Sequence, residues 1–291
     1  MKKFLLPIAI FSLLMSCSNK QSQPDYSSIA WIAELDYQEA EVFPVITTGR
    51  IPAPKIPVTV ENLTRNCILD LGTYDFVLHE RDYDLQQFEP SRLVNRQIST
   101  REMMLEEGLL SRVTFLGQER QDIFTYLMKK CEPAACFSGL VGWQFFKDQR
   151  ITFDLKNNLV GIQTPRESLA GGQVFYTSEN PAQKNNMLKF DGFFYNEPVT
   201  LSFSTSLRHT QISPEILARL NIRHDGTFTQ VDSIQAGQVF FHHVTGQINN
   251  NLVLLEPETR RPIDIIIGLN ELKHWLLTVD FSNGIFYLKE N

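Results

Sequence analysis

The chain has no cluster of lysine or arginine. Its 27 basic residues are outnumbered by 33 acidic ones, giving a formal charge of −6. That balance excludes the basic surface that nucleic-acid binding needs. No Cys/His spacing suits zinc, and neither a glycine-rich phosphate loop nor a Gly-x-Ser-x-Gly elbow occurs. No metal or cofactor is expected. His242 and His243 are neighbours on an extended run, so alternation sends them to opposite faces rather than to one ion. Cysteine is scarce, at four residues, too few for a disulfide-built scaffold. Helix-forming stretches are few. The apolar fraction of 43% and charged fraction of 21% exclude whole-chain disorder. The length allows one large or two modest domains, each with its own core.

The N-terminus carries an address. Lys2 and Lys3 precede an apolar run, Phe4 to Met15, that is too short to span a bilayer comfortably. The run ends in Leu14-Met15-Ser16-Cys17, which resembles the lipobox of bacterial lipoproteins. The resemblance implies a signal peptide over 1–16 and acyl chains on Cys17; an ordinary secretory signal is the alternative. Each buried CH₂ adds about 0.8 kcal/mol, so several chains anchor stably in a membrane. Residues 17–28 read as a polar tether, whose Ser18 to Ser28 stretch reaches at most about 40 Å. Ser18 after the lipobox Cys is compatible with outer-membrane sorting, so the expected location is the envelope of a Gram-negative bacterium. Cys131 and Cys136 flank Glu-Pro-Ala-Ala. An exported protein permits a disulfide there, with two free thiols as the alternative. Cys67 lies in an apolar strand and reads as a small buried hydrophobe.

Strand signals dominate the rest. Ile56–Val60, Val113–Leu116, Ile151–Asp154, Val199–Phe203 and Val239–Val244 are short β-branched and aromatic runs between turn residues. Helices are expected near Gln144 to Asp148, Pro214 to Leu220 and Asn270 to Trp275. Ser213-Pro214-Glu215 supplies an N-cap and a first-turn proline. The segments 142–157 and 268–283 align without a gap, with Gly, Lys, Thr, Asp and Asn recurring in register. Each follows an apolar run and ends in a hairpin turn. A repeat of this length implies two similar lobes, over 29–165 and 172–291. Pro165, Gly171 and Gly172 mark the boundary.

In lobe one a buried strand runs into an acidic turn, Ile68-Leu69-Asp70-Leu71-Gly72-Thr73, and resumes as a strand. The matching place in lobe two reads Leu201-Ser202-Phe203-Ser204-Thr205-Ser206, with no acid. Together with Leu140-Val141-Gly142 and Ile266-Ile267-Gly268, each half resembles one lobe of the aspartic-peptidase superfamily, retropepsin-like or pepsin-like. The likeness covers about residues 45–291. It implies an all-β fold of two pseudo-symmetric barrel lobes with a cleft between them and few short helices. By that resemblance Asp70 matches the catalytic Asp and Gly72 the tight-turn Gly. Leu71 replaces the Thr that braces one loop against the other. Ser204 stands where the second Asp belongs, Thr205 matches the bracing Thr, and Ser206 replaces the Gly. Gly142 and Gly268 are the structural glycines behind the loops. A flap hairpin is expected over Leu109 to Asp122.

The paired-acid mechanism needs two carboxylates about 3 Å apart sharing one proton. One ionised acid activates water while its protonated partner polarises the scissile carbonyl. Ser204 cannot take either role. Losing a positioned acid–base group costs about 10²–10⁴-fold in rate. Alone, Asp70 is expected to ionise near its reference pKa of about 3.9. Asp75, Asp154, Asp264 and Asp280 read as turn or strand-end residues, not as a replacement acid. The expected function is a catalytically degenerate envelope lipoprotein that binds extended peptides by strand addition. An active aspartic endopeptidase using Asp70, and a structural envelope protein without a ligand, are the alternatives.

Overall fold

The two aligned segments fold alike. Gly142 leads into a 3₁₀ turn, Trp143–Phe146, and Gly268 leads into the short helix Leu269–Leu272. Each is followed by a buried strand ending in Asp154 or Asp280. Both acids close the next turn in the same way. Asp154 accepts from the Asn157 backbone and side-chain amides at 3.0 and 2.7 Å. Asp280 accepts from the same groups of Asn283 at 3.0 Å each. These are the turn roles expected from their positions at strand ends.

The structure, a computed structural model, describes residues 26, 28–49, 51–83, 85–86, 88–98, 101–129, 137–165, 167, 169, 172–176, 187–252 and 262–291. The signal segment, Cys17, most of the tether, and the Cys131/Cys136 pair lie outside the described residues. In chain order the strands of lobe one are β1 (Val42–Pro44), β2 (Lys55–Val60), β3 (Leu63–Leu69), β4 (Phe76–His79), β5 (Phe88–Ile98), β6 (Arg101–Phe115), β7 (Gln118–Met128), β8 (Gly139–Val141), β9 (Arg150–Asp154) and β10 (Leu159–Gln163). Those of lobe two are β11 (Gln173–Val174), β12 (Phe190–Phe194), β13 (Glu197–Phe203), β14 (Thr210–Ile212), β15 (Phe228–Ala236), β16 (Val239–Ile248), β17 (Ile265–Ile267), β18 (Trp275–Asp280) and β19 (Ile285–Glu290).

Each lobe is a six-stranded barrel. Lobe one runs β2-β3-β8-β4-β7-β6, closed by β6 pairing with β2, and β5 extends it from β6. Lobe two runs β12-β13-β17-β14-β16-β15, closed by β15 pairing with β12. The pairings match one for one. In lobe one β3 is parallel to β8 and β4 to β7; in lobe two β13 is parallel to β17 and β14 to β16. The parallel neighbours need long crossovers, and the end of each strand that leads into the Asp70 or Ser204 loop is fully buried, over Cys67–Leu69 in β3 and Val199–Phe203 in β13.

A third sheet, β1-β10-β9-β18-β19-β11, joins the lobes. At its centre Thr152 faces Thr278, their Oγ1 atoms 2.9 Å apart. One main core spans both lobes. Phe76, Phe115, Phe145 and Phe146 pack edge to face in lobe one, and Phe190, Phe203 and Phe286 cluster in lobe two. Such ring pairs add about 0.5–1.5 kcal/mol beyond the area they bury.

Four details differ from the sequence reading. The region near Gln144 is one 3₁₀ turn rather than a helix to Asp148, and the later helix stops at Leu272, because buried strands begin at Arg150 and Trp275. An unexpected helix, α1 (Ala30–Glu34), packs Trp31 under the joining sheet, with Trp31 Nε1 donating to Asp154 at 2.8 Å. His242 and His243 are both exposed, because His243 takes a left-handed conformation (φ 53°) that breaks strand alternation. The Leu109 to Asp122 hairpin is not a free flap. Arg120 and Gln118 hydrogen-bond Gln149, between the 3₁₀ turn and β9, which fixes that hairpin to the lobe.

Candidate active site

The Asp70 and Ser204 loops leave equivalent strands and meet. The Asp70 amide donates to the Val141 carbonyl at 3.0 Å, and the Ser204 amide to the Ile267 carbonyl at 3.0 Å. Behind them, Trp143 N donates to Thr73 O at 2.9 Å and Leu269 N to Leu207 O at 2.7 Å. Gly142 and Gly268 permit that approach. A Cβ on Gly142 would sit 2.4 Å from the Asp75 carbonyl oxygen, and one on Gly268 would sit 2.6 Å from the His209 carbonyl carbon. Gly72 is required by the other lobe, since its Cβ would lie 2.7 Å from Ser204 Cβ.

The structure therefore brings Asp70, Leu71, Gly72, Ser204, Thr205 and Ser206 together. Asp70 is 1% exposed. Its Oδ1 accepts from Gly72 N at 2.8 Å, Ser204 Oγ at 3.0 Å and Thr205 N at 3.1 Å. Its Oδ2 accepts from Ser204 Oγ at 3.2 Å and from Ser206 Oγ. All of these donors are hydroxyls and amides, and three of the four groups come from the opposite lobe. Thr73 has a local part: its Oγ1 accepts from Asp75 N at 3.3 Å and its carbonyl ties down Trp143.

Thr205 braces the loops. Its Oγ1 donates to Leu69 O at 2.8 Å and accepts from Leu71 N at 3.2 Å. Leu71 has no hydroxyl to return the bond, and its side chain is fully buried in the core. The brace thus runs one way, from lobe two to lobe one. Ser204 also closes its own loop, its Oγ accepting from Ser206 N and Leu207 N at 3.2 Å each.

Burial pushes the Asp70 carboxyl above its ordinary value of 3.8, while hydrogen bonds from Ser206, Gly72, Ser204 and Thr205 pull the other way. This corrects the expectation of an unperturbed acid. The proton also fits the geometry: a protonated Oδ2 donates to Ser206 Oγ, which turns to Ser204 Oγ at 3.1 Å. Asp264 is committed elsewhere, exchanging hydrogen bonds with the Thr200 backbone.

Ser206 is the residue that sequence reasoning undervalued. It was read only as the place of a missing glycine, yet its hydroxyl reaches Asp70. The Ser-x-Ser spacing was the available signal, because the two side chains share one face of the loop. Compared with known proteins, the chain matches no family model and no curated sequence.

Proposed function

We propose that this chain is an aspartic-peptidase-like protein of the cell envelope, lipid-anchored at Cys17, that has lost the paired-acid chemistry and holds an extended peptide between its lobes. The observation that carries this reading is the set of partners around Asp70. Both oxygens of its carboxylate are engaged by Gly72, Ser204, Thr205 and Ser206, and the opposing loop meets it with the Ser204 hydroxyl. An acid engaged in this way has no free lone pair aimed at a water and no proton-sharing partner. Asp70 holds the lobes together instead.

The peptide half of the proposal draws on the edge of lobe one. Among the described residues β5 pairs only with β6, so its outer edge offers backbone groups for strand addition. The test is capture of a mixed peptide library on the immobilised protein, read by mass spectrometry. Retention of intact peptides sharing a spacing of alternate side chains supports binding. A library that passes through unretained removes the binding role and leaves a structural one.

A further inference from the structure

The internal repeat exposes an asymmetry beside the functional loops. Beside the Asp70 loop, Tyr74 meets Trp143 edge to face at 4.6 Å, Trp143 stacks on Phe281 of lobe two at 5.6 Å, and Phe281 meets Phe175 at 5.7 Å. Lys147 Nζ caps the assembly, 4.9 Å from the centre of the Tyr74 ring. Backbone hydrogen bonds identify the equivalents in lobe two. Gln144 N donates to Tyr74 O as Asn270 N donates to Arg208 O. Trp143 N donates to Thr73 O as Leu269 N donates to Leu207 O. Phe175 N donates to Gly284 O as Val45 N donates to Asn158 O. Asp280 and Asp154 close equivalent turns, so Phe281 corresponds to Leu155. Four rings are thus replaced by Arg208, Leu269, Val45 and Leu155, and Lys147 by Lys273.

The smaller side chains leave space. A cavity of about 450 Å³ lies there, with Leu155 and Leu269 as apolar wall and Thr47, Asn270, Arg208 and Lys273 as polar wall. Among the described residues two cations line it and no carboxylate does. Among the described residues neither Arg208 nor Lys273 makes an ion pair at contact distance; Glu271 accepts from Thr210 and feels the charge of Lys273 from further off. The volume falls within the range of small-ligand sites, about 300–1,000 Å³. A guanidinium offers a planar fork matched to a carboxylate, and charge-assisted hydrogen bonds are the strong kind.

We propose that this cavity binds a small organic carboxylate, its anionic head on Arg208 and Lys273 and its apolar tail on Leu155 and Leu269. The head-and-tail chemistry is shared by a free aliphatic acid and by the last residue of a peptide. The inference stands apart from the peptidase-like reading, because it uses only the repeat and the cavity.

The test is calorimetric titration of the full chain at constant ionic strength with three probes: octanoate, N-acetyl-leucine and N-acetyl-leucinamide. One of the two acids is expected to bind saturably while the amide does not; the tighter acid names the source. Arg208→Gln with Lys273→Gln is expected to weaken that binding at least about tenfold. Leu155→Phe with Leu269→Trp restores two of the four rings, narrows the cavity and is expected to abolish binding with the circular dichroism spectrum unchanged. Should that pair fail to fold, the Arg208/Lys273 variant decides alone, since both cations are exposed. No saturation by either acid, equal binding of acid and amide, or binding unaffected by loss of both cations overturns the proposal.

Discussion

Ser204 Oγ lies 3.0 Å from Asp70 Oδ1, so a hydroxyl from one lobe meets the buried acid of the other. The contact spans 134 residues of sequence and is buried on both sides. A hydroxyl donates to Asp70 without adding charge, and that lets the carboxyl stay buried.

The first prediction concerns Asp70 itself. Asparagine keeps the acceptor for Gly72, Thr205 and Ser204 and can donate to Ser206, so Asp70→Asn should fold normally. Alanine strands buried donors and should cost about 1–3 kcal/mol for each group left unpaired. The sign of the pH effect follows from the raised pKa. Folding favours the protonated acid, so Asp70's contribution is fully present below its ordinary value of 3.8 and is lost as pH rises through the higher folded value. Urea unfolding across pH should therefore show the wild type losing stability relative to Asp70→Asn as pH rises. Equal pH slopes would contradict the buried-acid account.

A second acid opposite Asp70 should be costly. Ser204→Asp places two carboxyls at contact distance, where both cannot ionise. Removing compensation from a buried charge costs about 3–5 kcal/mol, and a loss of that order is expected at neutral pH. The loss should shrink toward acid pH, where the pair holds its protons. A thermal-denaturation series from acid to neutral pH checks the trend, and a Ser204→Asp variant as stable as wild type at neutral pH would count against it.

Thr205 should matter more than an average buried threonine. Thr205→Val preserves shape but leaves the Leu69 carbonyl and the Leu71 amide without their interlobe partner. The expected destabilisation is about 1–3 kcal/mol. Amide hydrogen exchange at Leu71 should rise along with it, which distinguishes loss of the brace from a general loss of packing.

Gly142→Ala and Gly268→Ala should behave as a pair. Each introduced methyl meets backbone rather than a movable side chain, at 2.4 and 2.6 Å. Overpacking of this kind costs about 1–3 kcal/mol, and similar falls in the urea midpoint are expected for both. A tolerated alanine at either position would break the equivalence of the two lobes.

Much of this was legible in the sequence because it depends on local pattern. The 16-residue repeat, the Ser213-capped helix Pro214–Arg219 and the apolar strands before Asp70 and Ser204 all came from periodicity and turn chemistry. The opposition of Asp70 and Ser204 followed from laying one lobe over the other. What was hidden depends on side-chain direction across long separations. Ser206 reaching Asp70, and Trp31 reaching Asp154, are tertiary contacts with no local signature. The left-handed His243 is hidden for another reason: positive φ is uncommon for any residue but glycine, and the alternating run around His243 carries no turn signal that announces it. The unlike neighbours of the two loops, four rings on one side and a cavity on the other, become visible only when equivalent backbone bonds are compared.

The most direct test of Asp70 as an interlobe clasp is cleavage of a mixed peptide library by the wild type and by Asp70→Asn, from about pH 3 to 7, the range over which paired-acid dyads work. The account predicts no product that depends on Asp70 at any pH. Products formed by the wild type and missing with Asp70→Asn would contradict it and require an acid partner that is not found beside Asp70 among the described residues.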